Sequence, residues 1–300
     1  MFPQTYDEIN TILSKTTRPK KLCELALRYD SLVISQDEDN PFQYNTIALA
    51  LMGEMQCYEK AGNKEKAIKY GMKAAQKFTQ AAKFNFKISG SSNATLKDSW
   101  EDPLCNAIQC YNDVTEMLIS ENKNYLSVST LIKLGELESR FGWHHPAGNS
   151  FEEAVLICLD KKNFSNLQRI MKEALFKAIY SYAMCPDRLD LACNLIDNKD
   201  IREQEDDEIK ILCSLIHQAV AQIAKEKEKK KDQKEDNEID LNNLSGLNQS
   251  QQERVIQIWN AICSGDKNQI DSCVCQMKFS EDFTKVLLQC IDRYLIDVKN

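Results

Sequence analysis

The residues able to do chemistry are few, and most are poorly spaced for it. Cys213 and His217 stand four apart in an apolar helical stretch, a spacing that can bring a thiol to a base and so defines a cysteine-nucleophile reading. A half-buried histidine on a helix flank accounts for the same pair. His144 and His145 are adjacent, so their side chains diverge on any regular element. Cys273-x-Cys275 and Cys105-x4-Cys110 lack the second pairs that a tetrahedral zinc site takes. No Gly-x-Ser-x-Gly elbow, phosphate-cradling loop or dinucleotide fingerprint occurs, and nine glycines in 300 residues leave little backbone for one. The expectation is therefore no catalytic residue, no metal, no cofactor and no enzymatic activity.

What must position these side chains is helix. Glycine and proline together are fifteen of 300 residues, too few for turn-rich β or proline-rich chains. A net charge of −7 argues against a general nucleic-acid binder, and no apolar run reaches membrane-spanning length. The start of the chain shows no basic stretch followed by an apolar one, so no secretory signal is expected. Twelve cysteines set among apolar neighbours, as in Leu212-Cys213-Ser214-Leu215, read as reduced core residues of a cytoplasmic protein. Apolar residues return at three and four nearly everywhere, for example Leu167, Ile170, Met171, Ala174, Leu175 and Ala178. Ala61-Gly62-Asn63, Ser120 to Asn124, Cys185-Pro186-Asp187 and Ser264-Gly265-Asp266 are the turns between them.

Helix, short turn, antiparallel helix is the unit of an α-solenoid. Residues 47–78 have the spacing of a tetratricopeptide unit in Tyr58, Gly62, Ala67 and Ala74, and a plain helical hairpin is the simpler reading. Degenerate copies run from Asn106 to Leu134 and from Leu134-Gly135 through Ala154. The fold expected is all-α, a tetratricopeptide-like solenoid of antiparallel helical hairpins over residues 1–224. A charged flexible linker follows at 225–250, and C-terminal helices at 251–300 pack on the solenoid, on a partner, or on both. Within the linker, 225–238 holds six lysines and six acids, which cancels the field that a nuclear-localisation or anionic-lipid tract would need. Residues 85–100 read as a surface loop.

Three places invite a partner. Residues 197–208 carry seven acids and two bases, either a solvated loop or a docking surface for a basic partner. The stretch 141–150 reads as an inter-helix connection with Ser150 as the cap of the next helix and Glu153 completing a capping box; Trp143 plugs that joint or anchors a partner. Along the last helix, Phe283, Val286, Leu287, Leu288, Cys290, Ile291, Tyr294, Leu295 and Val298 span an apolar arc of about 200°, where one-sided burial needs roughly 100°. That width calls for a second contact, a folded-back segment or another protein. Trp259, Phe283, Leu287 and Tyr294 are expected to be buried in the domain or its interface, and removal of 280–300 to abolish binding.

Three stretches resemble the forty-kilodalton huntingtin-associated protein family. One is Trp100-Glu101-Asp102-Pro103-Leu104 with the alanine- and cysteine-bearing helix after it. Another is Leu134-Gly135-Glu136-Leu137 through 141–150 to Phe151-Glu152-Glu153-Ala154. The third is Ile258-Trp259-Asn260-Ala261 through Gly265-Asp266-Lys267 to Phe279-Ser280-Glu281 and Leu287-Leu288. Order and spacing agree over most of the chain. The resemblance implies a non-enzymatic, tetratricopeptide-like subunit that binds and stabilises huntingtin, a large HEAT-repeat scaffold, one to one. It implies a link to early endosomes through a Rab GTPase, with cytoplasmic, early-endosomal and nuclear pools. The family carries a low-complexity segment before its C-terminal helices, proline-rich in vertebrates; here 225–250 is shorter and rich in Lys, Glu and Asn, as in a distant, invertebrate member. The residues expected to meet the partner are Trp100, Trp143, Trp259, Phe283, Leu287, Leu288 and Tyr294. A soluble-NSF-attachment-like adaptor in vesicle fusion is the alternative with the same helical pattern.

Overall fold

Residues returning at three and four wind into helices, and the computed structural model, which describes residues 2–89, 100–160, 165–185, 188–228, 244 and 246–299, holds fourteen α-helices and no strand among them. In chain order they are α1 (Phe2–Lys15), α2 (Pro19–Ile34), α3 (Tyr44–Lys60), α4 (Lys64–Ser89), α5 (Glu101–Ser120), α6 (Asn124–Arg140) and α7 (His144–Asp160). Then come α8 (Ser165–Ala183), α9 (Leu189–Ile196), α10 (Lys199–Arg202), α11 (Asp207–Glu228), α12 (Gln249–Ser264), α13 (Lys267–Gln276) and α14 (Glu281–Lys299). A 3-10 turn, Pro41–Gln43, leads into α3. No described helix is long and apolar enough to cross a membrane.

Two compact units form, Met1–Leu134 and Gly135–Asn300, with α6 running across the division. In the first, α1 to α5 pack each on the next. In the second, α7 packs on α8, α8 on α9, α9 on α11 and α11 on α12, and α14 then returns to lie against α8, α9 and α11.

The same joint closes three helices. At Ala61-Gly62-Asn63, Glu121-Asn122-Lys123 and Phe141-Gly142-Trp143 the middle residue takes the left-handed conformation, at φ 77°, 55° and 80°. The residue after it sends its N–H back to a carbonyl in the last helical turn: Asn63 to Tyr58, Lys123 to Leu118 and Trp143 to Glu138, all at 2.8 to 2.9 Å. This is the pattern that satisfies orphan carbonyls at a helix end. Asparagine is the side-chain-bearing residue best suited to that conformation, which explains the joint without glycine. Of the four tetratricopeptide positions, Gly62 makes the first joint, Ala67 and Ala74 are fully buried, and Tyr58 is buried against Tyr70.

Glycine and aromatic ring also meet inside helix pairs. A Cβ on Gly53 would fall 2.6 Å from the Tyr29 ring, on Gly135 2.7 Å from Phe151, and on Gly148 2.4 Å from Tyr182. Each backbone therefore lies directly against a ring of the neighbouring helix, and Leu134-Gly135 is fixed by that packing.

Two expectations are corrected. Residues 85–89 are the end of α4 and not loop, because Phe84 and Phe86 give the helix a further aromatic turn against Phe42 and Trp100; residues 90–99 lie outside those described. The helix expected from Phe151 starts at His144. Pro146 fits there because a helix's first turn needs no intrahelical N–H. Ser150 is thus not a cap: its hydroxyl donates sideways to Glu138 Oε2 at 2.7 Å. At 225–250, α11 continues through Glu228 and α12 begins at Gln249, with Asn248 and Gln251 capping each other; most of the expected linker, 229–243 and 245, lies outside the described residues, as do Pro186 and Asp187.

Candidate functional site

His217 donates from Nδ1 to the backbone carbonyl of Cys213 at 2.7 Å, so the pair four apart meets through the main chain and not through the thiol. Desolvation pushes the Cys213 thiol up to about 12, the opposite of an activated thiolate. The other ring nitrogen of His217 lies 2.7 Å from Asp197 Oδ1 and 3.1 Å from Arg202 Nη2, and Arg202 also bonds Asp197. Burial works against the Asp197 charge, but His217 and Arg202 outweigh it and hold the carboxyl below its usual range. Cys193 joins this cluster, and its sulfur, Asp197 and His217 offer ligand atoms within 4.8 Å of one another. Those donor types suit zinc, yet a guanidinium already bonds two of the three, and desolvation pushes the Cys193 thiol up to about 11. The cluster ties α9, α10 and α11 together as an ion-pair knot.

The acidic stretch 197–208 is largely consumed in the same way. Besides Asp197, Asp206 caps α11 through the amides of Glu208 and Ile209, at 3.0 and 3.2 Å. Lys172 bonds Asp206 at 2.6 Å and Glu208 at 2.8 Å. Glu208 also accepts from the Ser280 amide at 2.6 Å and hydroxyl at 2.9 Å, and Asp207 accepts from Gln251 at 2.7 Å. These acids fasten α8, α12 and the start of α14 to α11.

The expected partner residues divide into two groups. Trp259, Phe283, Leu287 and Tyr294 are buried inside the second unit. Phe283 meets Phe176 of α8 edge-on at 6.0 Å, and Tyr294 meets Trp259 of α12 at 5.4 Å. The second contact that the wide arc of α14 calls for is therefore the chain's own α8, α9, α11 and α12. Val298 in that arc has no described side chain. Trp100, Trp143 and Leu288 are half-buried. Trp100 stands at the start of α5 with Phe86 edge-on at 5.4 Å, and Trp143 ends the joint before α7.

Leu288 opens onto a groove of about 920 Å³ between the end of α6, α7, α8 and α14. Phe151, Phe176, Val286 and Leu288 form its apolar lining, and Glu136, Arg140, Lys177, Lys285 and Asp292 stand among its polar groups. Lys177 bridges Glu136 at 2.6 Å and Glu173 at 2.7 Å. Burial opposes the lysine's charge, but these two hydrogen bonds raise its pKa above the ordinary value. An apolar trough with charged edges is the shape that receives a helix or an extended segment. Periodicity alone could not find it, because its lining runs from Glu136 on α6 to Asp292 on α14, far apart in sequence. No protein-family model and no curated protein matches the chain.

Proposed function

We propose that the chain is a non-enzymatic interaction subunit, a tetratricopeptide-like α-solenoid that binds and stabilises huntingtin, and that the pair serves early-endosome traffic through a Rab GTPase. The observation that carries the interaction reading is the surface. Leu27, Ile34 and Phe42 are 62, 75 and 79 % exposed, while Leu126, Leu156 and Ile296 add large apolar side chains on other helices. A helical scaffold facing a second helical-repeat protein would cover such residues. The three matching joints and the glycine-on-ring contacts support the tetratricopeptide-like part, since repeated closing geometry is what a repeat needs. The name huntingtin rests on the sequence resemblance, whose stretches fall at α5, at the α6–α7 joint and at α12 to α14.

Co-expression with huntingtin tests the proposal. An equimolar complex on size exclusion, lost when Leu288→Glu and Ile296→Glu are introduced together, is the expected result. Both side chains reach the surface of α14, so the pair leaves the core intact. Huntingtin that elutes without the wild-type chain would sink the proposal.

A further inference from the structure

Asp197, Arg202 and His217 knot α9, α10 and α11 together, yet their contacts cannot all be favourable at once. His217 Nδ1 faces the Cys213 carbonyl at 2.7 Å, and a carbonyl only accepts, so Nδ1 carries its proton. Nε2 then has two states. Without a proton it turns a lone pair towards Asp197 Oδ1, another acceptor, 2.7 Å away. With a proton it meets Arg202 Nη2, another donor, at 3.1 Å and sets imidazolium against guanidinium. Either state leaves one contact unfavourable. A cation held directly by Nε2 and Oδ1 removes the conflict, because both atoms then present lone pairs to one positive charge.

The surrounding chain supplies what such a cation needs. Cys193 and Asp197 stand four apart at the end of α9, the spacing that puts two ligands on one helix face, and α11 brings His217 to them. Sulfur, carboxylate oxygen and ring nitrogen lie within 4.8 Å of one another, and no other such trio occurs among the described residues. The bond from Nδ1 to the Cys213 carbonyl fixes the ring with Nε2 turned to the other two, the outer-shell support that metal-binding histidines have. About half of the Asp197 side chain and half of the Arg202 side chain are open to solvent, so an ion has a way in and the guanidinium a way out.

We infer that Cys193, Asp197 and His217 form a zinc site for which the Arg202 guanidinium is the competing occupant. Thiolate, imidazole and carboxylate are the ligand types of zinc, and zinc held by three protein ligands keeps a fourth position for water. Calcium and magnesium take oxygen ligands, which this trio does not supply. Binding exchanges charge without redox. Zn²⁺ bonds Sγ, Oδ1 and Nε2, the Cys193 thiol proton passes to solvent, and Arg202 swings out with its own charge. The thiol gives up its proton because coordination to the metal deprotonates it outright. A doubly charged ion that also takes the sulfur thus outcompetes a singly charged guanidinium, and it clasps α9 to α11. The inference is independent of which scaffold the chain serves; its failure would leave the huntingtin reading standing, and the reverse holds too.

The test uses the full chain, free of any purification tag and kept reduced by a phosphine, with cobalt(II) as the optical substitute for zinc. Cobalt should give a thiolate-to-metal charge-transfer band and the visible bands of tetrahedral coordination, and added zinc should bleach both. Zinc should also raise the melting temperature of the chain. Cys193→Ser should remove the charge-transfer band, and His217→Gln should weaken binding at least about tenfold. Arg202→Ala should tighten zinc binding by about tenfold, because the competing cation is gone; a merely structural knot predicts no gain. Melting curves of the three variants confirm that they fold. Absence of the charge-transfer band overturns the inference. A band that survives in Cys193→Ser places the metal on other cysteines and overturns it too, as does zinc affinity that is unchanged or lower in Arg202→Ala.

Discussion

Glu54 is the residue whose burial has the clearest energetic consequence. Burial, then the nearby Asp30, push its carboxyl up to about 8, against an opposing influence from Tyr70, Lys73 and Lys69. The native state therefore holds a proton that the unfolded chain gives up near its ordinary value of 4.5. The stability this group contributes is full below about pH 4.5, declines as pH rises, and is lost once pH passes about 8, a loss on the order of 4 to 5 kcal/mol. Glu54→Gln keeps the shape and removes the titration. It should raise stability at pH 8 far more than at pH 5, and urea unfolding at the two values reads this; an identical pH dependence in the variant would contradict it. Thiol chemistry gives a second residue-scale prediction. Burial raises Cys57, Cys110 and Cys290 to about 12, as desolvation does Cys213. Alkylation at pH 7 followed by mass spectrometry should modify the exposed Cys23, Cys105, Cys263 and Cys275 first. Early modification of Cys213 would revive the nucleophile reading.

Helices here are held by backbone lying against rings, which makes single methyl groups expensive. Gly148→Ala places a Cβ 2.4 Å from Tyr182, whose hydroxyl bonds Glu152 and Asn149 of the same α7. The ring cannot withdraw without losing those bonds, so the substitution should cost about 1 to 3 kcal/mol, measurable as a lower denaturation midpoint; an unchanged midpoint would show that the pair has slack. At this scale the sequence was readable where local chemistry decides. Gly62, Gly142 and Gly265 end their helices as their residue types predict. It misled where a side chain is used sideways. Ser150 looks like a helix cap and Pro146 like part of a connection, but Ser150 serves Glu138 across the α6–α7 pair and Pro146 sits in the first turn of α7, where it does no harm. The acids of 197–208 look like a surface patch, and four of them are spent on Lys172, Arg202, His217, Ser280, Gln251 and helix amides. Neither use has a local signal, because each partner is supplied by tertiary packing.

At the scale of the whole molecule, the return of α14 onto α8, α9 and α11 changes how a partner must be sought. Deleting 280–300 would strip Phe283, Leu287 and Tyr294 from the second unit's core, so lost binding after that deletion reports unfolding as much as a lost interface. Melting of the deletion variant should show this as a loss of cooperative unfolding, whereas an unchanged transition would mean that α14 is dispensable to the unit. The surface that remains for a partner is the exposed apolar set and the groove at Leu288, and covering it is what the interaction reading requires. A partner that binds only the folded chain must raise its melting temperature by mass action, by about 4 kcal/mol of added stability at a thousandfold excess over the dissociation constant. The most direct measurement is therefore size exclusion and thermal melting of the chain alone and co-expressed with its organism's huntingtin. The account predicts an equimolar complex that co-elutes and melts well above the lone chain. A stable lone monomer that never co-elutes with huntingtin would contradict it and favour a vesicle-fusion adaptor instead.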